Sequence, residues 1–290
     1  MNISEARISK VQCLSPAGLH RMAYKEWGDP DNPKVLLCVH GLTRVSDDFD
    51  VLAQALADEY RVVCPDVVGR GRSDWLRDPR HYVVPQYVSD MVTLLARLDA
   101  HNVHWFGTSM GGLIGIGLAA LPDSPIEKLV LNDVGPVLNP VALARIARYV
   151  GQPVRFASFE EGERYVREIS QPFGPHSDAQ WRKLAADVLR QDADGRWRLH
   201  YDPAIAVPFG EMSAEAARQA EAVLWRAYDA IRCPTLLVRG GESDLLSAET
   251  ARTMAERGPH AQLAEIAGVG HAPTLLHADQ IDIARRFLLS

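Results

Sequence analysis

The sequence predicts an α/β protein with a mostly parallel, eight-stranded sheet, helices on both faces and an inserted helical cap. First, short apolar runs typical of buried strands alternate with longer segments of helical periodicity. Second, this alternation stops between about Leu138 and Arg232 and then resumes with the same kind of apolar run. Third, a chain of 290 residues is long enough for one large domain that carries an insertion.

Two kinds of strand are expected. The first two candidates alternate apolar and polar residues and are separated by Gly18, which predicts an antiparallel pair. The third is a continuous apolar run, as expected for a strand buried on both faces. The strand candidates are Ile8–Leu14, Leu19–Trp27, Lys34–Val39, Arg61–Cys64, Val103–Phe106, Lys128–Leu131, Pro234–Val238 and Gln262–Ile266.

Helical spacing of apolar residues follows most of the later strand candidates. Ser46 and Asp47 are suitable caps for the first helix, which would bury Phe49, Leu52 and Leu56. The other helix candidates are Tyr87–Leu98, a stretch from Ser109 to Leu121, Ser247–Glu256 and Ala278–Leu289. Strands that alternate with helices in this way favour parallel pairing.

Residues 138–229 are predicted to form a helical cap, or lid, inserted after the sixth core strand, with residues 1–137 and 230–290 forming the core domain. An independent helical domain is the less favoured alternative, because the strand–helix pattern resumes after the insertion. The cap is rich in aromatic residues, which are expected to divide between the core of the cap and the wall of an apolar pocket. These residues include Trp181, Trp197, Tyr149, Phe156 and Phe173.

Composition excludes some partners. The net charge is −6, from 31 basic and 37 acidic residues without a basic stripe, so no nucleic-acid partner is expected. No apolar stretch approaches the ~20 residues of a membrane span, and no signal peptide is recognised, so no membrane partner is expected. The four cysteines form no C-x-x-C pair and are expected to be reduced, which fits a cytoplasmic protein. The sequence leaves the formation of a homo-oligomer open.

The strongest chemical signal is the G-x-S-x-G pattern at residues 107–111, which lies between a strand candidate and a helix candidate. A nucleophilic serine on a sharp strand-to-helix turn requires small neighbours, because the backbones on either side pass closely. The pattern in this context predicts Ser109 as a nucleophile.

A serine hydroxyl requires an adjacent base, and the base requires an acceptor that orients it. His271 lies in a glycine-rich loop after the last strand candidate, at the sheet edge where active sites of α/β proteins assemble. The acid is expected between serine and histidine in chain order. Asp244 is the first choice, Asp133 is the rival one strand earlier, and Glu242 stays open because it is nearer to the strand end.

Two backbone N–H groups are expected to form an oxyanion hole. One is the amide of Met110, directly after the nucleophile. The other is the amide of Leu42, in the loop His40-Gly41-Leu42-Thr43 after the third strand candidate. His40 is expected to order this loop by hydrogen bonding.

The combined motifs resemble the α/β-hydrolase superfamily: H-G-L-T at 40–43, P-D-V-V-G-R-G-R-S-D at 65–74, G-T-S-M-G-G at 107–112, G-E-S-D at 241–244 and G-V-G-H at 268–271. The resemblance covers the chain apart from the cap, and it implies the α/β-hydrolase fold. It assigns the triad to Ser109, Asp244 and His271 and the oxyanion hole to Leu42 and Met110.

The resemblance also implies a substrate class. Haloalkane dehalogenases and epoxide hydrolases use Asp where this chain has Ser109, and many hydrolases of ring-fission products carry Trp where it has Ala272. We therefore expect a serine hydrolase that cleaves a carboxylic ester of a small to medium apolar molecule through an acyl-enzyme. A lactonase and a carbon–carbon bond hydrolase of the meta-cleavage product type are alternatives on the same triad. A non-catalytic small-molecule receptor is the alternative of another class.

No cofactor or metal is expected. The only short histidine pair, His101 and His104, is interpreted as a polar lead into a strand, and no H-E-x-x-H or Cys–His cluster is present in the sequence.

Overall fold

The computed structural model describes residues 5–137, 139–210 and 214–290. In chain order, the strands and helices are β1 (Arg7–Ser15), β2 (Gly18–Trp27), β3 (Val35–Val39), α1 (Asp50–Leu56), β4 (Arg61–Pro65), α2 (Val84–Leu98), β5 (Val103–Thr108), α3 (Met110–Ala119), β6 (Ile126–Asn132), α4 (Pro140–Ala147), β7 (Arg155–Phe156), α5 (Phe159–Ile169), α6 (Asp178–Val188), β8 (Leu189–Gln191), β9 (Trp197–Leu199), α7 (Val207–Gly210), α8 (Ala214–Ala230), β10 (Thr235–Gly240), α9 (Ala248–Glu256), β11 (Gln262–Ile266) and α10 (Ala278–Leu289).

The main sheet has eight strands in the order β1-β2-β4-β3-β5-β6-β10-β11. The strand β2 pairs antiparallel with β1 and with β4, and every other neighbouring pair is parallel. Each of the eight strands corresponds to one predicted from the sequence. The predicted fold class is therefore confirmed, including the antiparallel pair at the N-terminal edge.

Helices cover both faces of the sheet. Successive side chains of a strand point to opposite faces, so Trp105 of β5 packs in the same core as α2 and α3, whereas Phe106 packs with α1 and α10. All residues of β3 and of β10 are buried. Apolar residues predominate in both strands because neither face meets water.

The segment between β6 and β10 contains the helices α4–α8, as the sequence predicted, but also a three-stranded antiparallel sheet in the order β7-β9-β8. The expectation of a purely helical insertion is thus incomplete. A turn that contains Asp194 and Gly195, a pair typical of hairpins, joins β8 to β9. Residue 138, at the predicted boundary, lies outside the described residues, and the division into two domains stays a prediction.

Within the described ranges, no helix combines the length and the hydropathy that a membrane span requires.

Candidate active site

Ser109 lies on the turn between the end of β5 and the start of α3, with a backbone φ of 51°. The close approach of neighbouring backbones explains the flanking glycines. A Cβ atom on Gly111 would lie 1.9 Å from the carbonyl oxygen of Val39, and a Cβ atom on Gly107 would lie 2.3 Å from that of Gly111. Only glycine fits at these two positions, as the G-x-S-x-G pattern predicted.

A chain of hydrogen bonds joins Ser109, His271 and Asp133. The Ser109 Oγ atom is 3.0 Å from His271 Nε2, and His271 Nδ1 is 2.8 Å from Asp133 Oδ2. When Nδ1 carries the ring proton and donates a hydrogen bond to the carboxylate, Nε2 is unprotonated and can accept the serine proton. The arrangement can therefore activate a hydroxyl nucleophile.

Asp133 follows β6 directly and is fully buried. Its backbone N–H donates to Val238 O at 2.7 Å, which attaches it to the adjacent strand β10. Besides His271, the carboxylate accepts hydrogen bonds from the amide of Gly240 at 2.9 Å and from Ser243 Oγ at 2.6 Å. A buried carboxylate requires such partners, and together they fix the orientation of the oxygen that faces the imidazole.

The prediction that Asp244 orients the histidine is wrong. Its two carboxylate oxygens instead accept from Arg145 Nε at 2.7 Å and Nη2 at 2.9 Å. Although partial burial opposes the effect, the hydrogen-bonded guanidinium lowers the pKa of Asp244. The chain after β10 turns Ser243 inward toward Asp133 and leaves the Asp244 side chain 39% exposed. Glu242, the other open candidate, is exposed.

His40 orders the loop after β3, as expected. Its Nδ1 donates to the carbonyl oxygen of Gly41 at 2.7 Å, and its Nε2 accepts from the Val67 amide at 2.9 Å. Burial lowers the pKa of His40 to about 4, so the ring is neutral at pH 7 and can accept at Nε2. The Arg44 amide donates to the same Gly41 carbonyl at 3.2 Å.

This loop fixes the direction of the Leu42 amide. The N–H of a trans peptide lies opposite its carbonyl, and the Gly41 carbonyl is held from two sides. The Leu42 carbonyl is fixed as well, because Arg70 Nε donates to it at 2.8 Å. A Cβ atom on Gly41 would be 3.7 Å from Ser109 Cβ, so the loop is adjacent to the nucleophile. The amide of Met110 begins α3, where N–H groups lack intrahelical partners.

A pocket opens beside Ser109 and His271, with one wall from the loops of the main sheet and the other from the insertion. Its apolar lining consists of Leu42, Phe49, Ile146, Tyr149, Val166, Ile169, Phe173, Leu184, Val188, Leu199, Tyr201, Ala272, Pro273 and Leu275.

Of the five aromatic residues predicted for the cap, Tyr149 and Phe173 line the pocket. The other three pack elsewhere against an aromatic neighbour, as the core alternative predicted. These pairs are Phe156 with Tyr165, Trp197 with Phe159 and Trp181 with His176.

Besides the histidines, three acidic or basic residues line the pocket: Arg44, Asp48 and Arg145. Arg44 forms a bidentate pair with Asp48, at 2.8 Å from Nε and 2.6 Å from Nη2. None of the three could be singled out from the sequence, because each is brought to the pocket by tertiary structure.

Asn132 is a further residue that the sequence reasoning missed. It is fully buried at the end of β6, and its carbonyl oxygen accepts from the Ser109 amide at 3.0 Å. Its side-chain Nδ2 donates to Thr108 Oγ1 at 3.0 Å and to Pro273 O at 2.9 Å. Asn132 therefore connects the turn of the nucleophile to the loop of the histidine. The only sequence signal was its position beside Asp133.

One group of metal-ligand side chains lies outside the pocket among the described residues: Cys13, His20 and Asp90. All three are buried, and His20 Nε2 is already hydrogen bonded to Asp90 Oδ2 at 3.0 Å. Burial, with the nearby Asp90 carboxylate, raises the pKa of the Cys13 thiol to about 12, which disfavours the thiolate that binds metals. We interpret the group as a structural hydrogen-bonded cluster.

The chain is similar to known proteins along almost its whole length. It is 60% identical to the 3-hydroxybutyrate-oligomer hydrolase of Cupriavidus necator, over 97% of both chains. It is 27% identical to the esterase YbfF of Escherichia coli, over 88% of this chain and 91% of that one. The crystal structure of an alpha/beta hydrolase from Novosphingobium aromaticivorans superposes with a TM-score of 0.86 at 37% identity, covering 98% of this chain and 99% of that one.

The family model described as the alpha/beta hydrolase fold matches residues 34–278. This range includes the turn of Ser109, the buried Asp133, the loop of His271 and the whole insertion. The chain therefore belongs to the α/β hydrolase fold family.

Proposed function

We propose that this chain cleaves short linear esters built of 3-hydroxybutyrate units, with Ser109 as nucleophile, His271 as general base and Asp133 as the acid of the triad. The chain is an ester hydrolase. The observation that carries the assignment of the triad is the continuous hydrogen-bonded path from Ser109 Oγ through His271 to Asp133. The substrate class rests on the hydrolase of Cupriavidus necator, whose name gives 3-hydroxybutyrate oligomers as its substrate.

In the first half of the reaction, Ser109 Oγ attacks the ester carbonyl carbon while His271 Nε2 takes the hydroxyl proton. The Asp133 carboxylate keeps the imidazole in the required tautomer and stabilises the imidazolium. Collapse of the tetrahedral intermediate breaks the carbon–oxygen bond to the alcohol. His271 gives its proton to the departing oxygen, and the acyl group stays on Ser109.

In the second half, a water molecule attacks the acyl carbon and gives a proton to His271. The acid product leaves when the Ser109 oxygen takes the proton back from the imidazole. Both tetrahedral intermediates carry an oxyanion. The amides of Leu42 and Met110 are the proposed donors to it, supported by the fixed Gly41 carbonyl and by the position of Met110 at the start of α3.

The insertion is proposed to act as a lid. It supplies most of the apolar wall, whereas the main sheet supplies the reacting groups. A wall of Val, Leu, Ile and aromatic side chains suits the methyl-bearing backbone of a hydroxybutyrate ester better than a sugar or a nucleotide. A cytoplasmic location remains our proposal, supported by the four free cysteines.

Two measurements test the proposed function. Purified protein is incubated with the linear dimer and trimer of 3-hydroxybutyrate, and release of the monomer is followed by chromatography. A fluorophosphonate probe is then used to label the wild type and Ser109→Ala. We expect monomer release and labelling by the wild type, and neither by the variant.

The outcomes separate the competing functions. Absence of labelling in folded wild-type protein would favour the receptor and overturn the triad. Labelling together with turnover of p-nitrophenyl butyrate, but not of the oligomers, would overturn the substrate class alone. A panel of lactones and dienone acids, assayed in parallel, ranks the lactonase and carbon–carbon hydrolase alternatives against ester cleavage.

A further inference from the structure

The pocket wall presents a guanidinium that the ester chemistry above does not use. Arg145, on α4 of the insertion, lines the pocket together with Ser109 and His271. It is held from behind by Asp244, through Nε at 2.7 Å and Nη2 at 2.9 Å. Asp244 itself lies outside the residues that line the pocket. The cation thus faces the cavity, and its carboxylate partner does not.

Arg145 keeps donor capacity for a ligand. A guanidinium carries more N–H donors than one carboxylate occupies, and its remaining edge fits a second carboxylate. The Tyr149 hydroxyl is close enough to the Arg145 guanidinium for the two to interact electrostatically, and Tyr149 also lines the pocket. An arginine and a phenol therefore stand together on a wall that is otherwise mainly apolar.

The charge of the lining favours an anion. Among the described residues, the acidic and basic groups that line the pocket, apart from the histidines His40 and His271, are Arg44, Asp48 and Arg145. Arg44 is neutralised inside the lining by Asp48, whereas the partner of Arg145 lies behind it. The positive charge of Arg145 is therefore the one not balanced within the lining.

Arg145 is also near the group that protonates the departing alcohol, since both Arg145 and His271 line this pocket. Its partner Asp244 is close enough to His271 for the two to interact electrostatically, an interaction that contributes to the lowered pKa of Asp244. His271 is the group that protonates the departing oxygen. In an ester of two 3-hydroxybutyrate units, the free carboxylate belongs to the departing alcohol and is separated from the departing oxygen by only a short carbon chain.

We infer that Arg145, assisted by Tyr149, binds the free carboxylate of a linear hydroxy-acid ester, so that the enzyme cleaves the ester nearest the carboxyl end. This inference rests on the proposed function. Each turnover breaks the carbonyl carbon–oxygen bond of the last ester, and His271 protonates the oxygen of the departing hydroxy acid. Water then releases the shortened chain from Ser109, and that chain carries a new terminal carboxylate for the next turnover.

The competing interpretation is purely structural: the Arg145–Asp244 pair only holds α4 against the loop after β10. This interpretation predicts that loss of either partner affects all substrates alike. Recognition of a carboxylate predicts instead that loss of the guanidinium affects only substrates with a free carboxylate.

The experiment compares the 3-hydroxybutyrate trimer as the free acid, its methyl ester and neutral p-nitrophenyl butyrate. For the wild type we expect kcat/KM to favour the free acid over the methyl ester by about 10- to 100-fold. In Arg145→Gln this preference is lost, through a higher KM for the acid, while the two neutral substrates stay within about threefold of the wild type. Arg148→Gln is the matched control, because it removes the same charge from an exposed position directly after α4.

Asp244→Asn separates recognition from attachment of the helix, since it weakens the pair but keeps the guanidinium. We expect this variant to retain the preference for the free acid. Equal losses on all three substrates in both Arg145→Gln and Asp244→Asn would overturn the inference, as would a wild type without preference for the acid.

A trimer labelled with ¹³C in its carboxyl-terminal unit tests the direction of cleavage. We expect labelled monomer and unlabelled dimer in the first turnover; unlabelled monomer would overturn the inference. Failure of the proposed function has a different signature, namely no turnover of any oligomer by an enzyme that still cleaves p-nitrophenyl butyrate.

Discussion

Asp133 Oδ2 lies 2.8 Å from His271 Nδ1, so the carboxylate that orients the histidine follows β6 rather than β10. The two strands are neighbours in the sheet, and their carboxyl ends meet at the same edge. Either strand end can therefore bring an acid to the histidine. In this chain the end of β10 supplies Ser243, which donates a hydrogen bond to the Asp133 carboxylate.

Replacement of Asp133 by Asn removes the acceptor that selects the histidine tautomer. We expect kcat for p-nitrophenyl butyrate to fall by about 10⁴-fold, as when the acid of a comparable triad is replaced by its amide. Asp244→Asn is the matched control. It weakens a partly exposed ion pair, so kcat is expected to stay within about fivefold of the wild type. The reverse ranking, with circular dichroism showing both variants folded, would return the role of the triad acid to Asp244.

Ser109 and His271 could be identified from the sequence because local patterns define them. Glycines at fixed spacing impose the turn of Ser109, and a glycine-rich loop after the last strand contains His271. The acid lacks such a local signal, since Asp133 and Asp244 both follow a strand. Which aspartate reaches the histidine depends on the direction in which the chain turns after β10. That turn directs Ser243 toward Asp133, and the next residue, Asp244, toward Arg145.

The eight strands of the main sheet could be predicted because each is either an apolar run or an alternation of apolar and polar residues. The short strands β7, β8 and β9 lack such runs, and they are recognisable only through their pairing. Arg145 illustrates the same limit for the site. It lies on a helix of the insertion, and its position in the pocket depends on how that helix meets the core.

Asn132 is expected to act as a positioning residue. Asn132→Ala removes the donor that connects Thr108 to the carbonyl of Pro273, so the nucleophile turn and the histidine loop lose a shared contact. We expect kcat for p-nitrophenyl butyrate to fall by about tenfold or more, with a much smaller change in KM.

Thr108→Val is the graded comparison for Asn132→Ala, because it removes only one of the two side-chain contacts and should lower kcat less. Melting temperatures are measured for both variants. An Asn132→Ala protein with a lowered melting temperature but wild-type kcat would assign the residue a role in stability alone.

Two glycines of α3 are expected to respond in opposite ways to replacement by alanine. In Gly111→Ala the new Cβ would lie 1.9 Å from the Val39 carbonyl oxygen, and backbone atoms cannot yield at that distance. We expect loss of activity and a free energy of unfolding lower by several kcal/mol, at about the upper end of single substitutions. In Gly117→Ala the nearest atom is Val88 Cγ2 at 3.2 Å, and the helix gains up to about 1 kcal/mol from the better helix former.

Urea unfolding of the two glycine variants, with p-nitrophenyl butyrate as the activity assay, measures this contrast. Gly117→Ala should unfold at the same or a higher urea concentration than the wild type. A Gly111→Ala protein with wild-type stability and activity would contradict the close contact between the nucleophile turn and the end of β3.

The last prediction concerns acid pH. Burial lowers the pKa of His104 to about 4, and the nearby cations of Lys128 and Lys34 act in the same direction. In the unfolded chain a histidine titrates near pH 6.5. Between these two pH values His104 is protonated in the unfolded chain but neutral in the folded protein. The free energy of unfolding therefore falls as the pH falls from about 6.5 to about 4.

In His104→Gln the unfolded chain no longer binds this additional proton. The dependence of the unfolding free energy on pH, measured by urea unfolding between pH 4 and 6.5, should become shallower by up to about 1.4 kcal/mol per pH unit, which corresponds to one proton. The contributions of His40 and His200, whose pKa values burial also lowers to about 4, stay in both proteins. Asp187, whose pKa burial raises to about 7, acts with the opposite sign and is likewise unchanged.

His101→Gln provides the control, since this nearby histidine is exposed to solvent in the folded protein. We expect it to keep the wild-type dependence on pH. An equal change in the pH dependence of the unfolding free energy in both variants would show that loss of any histidine suffices. An unchanged pH dependence in His104→Gln would show that His104 is protonated as readily in the folded protein as in the unfolded chain. The Tyr60 hydroxyl donates to Leu288 O at 2.7 Å and therefore accepts from His104 Nδ1 at 2.8 Å, a hydrogen bond that a neutral ring can donate.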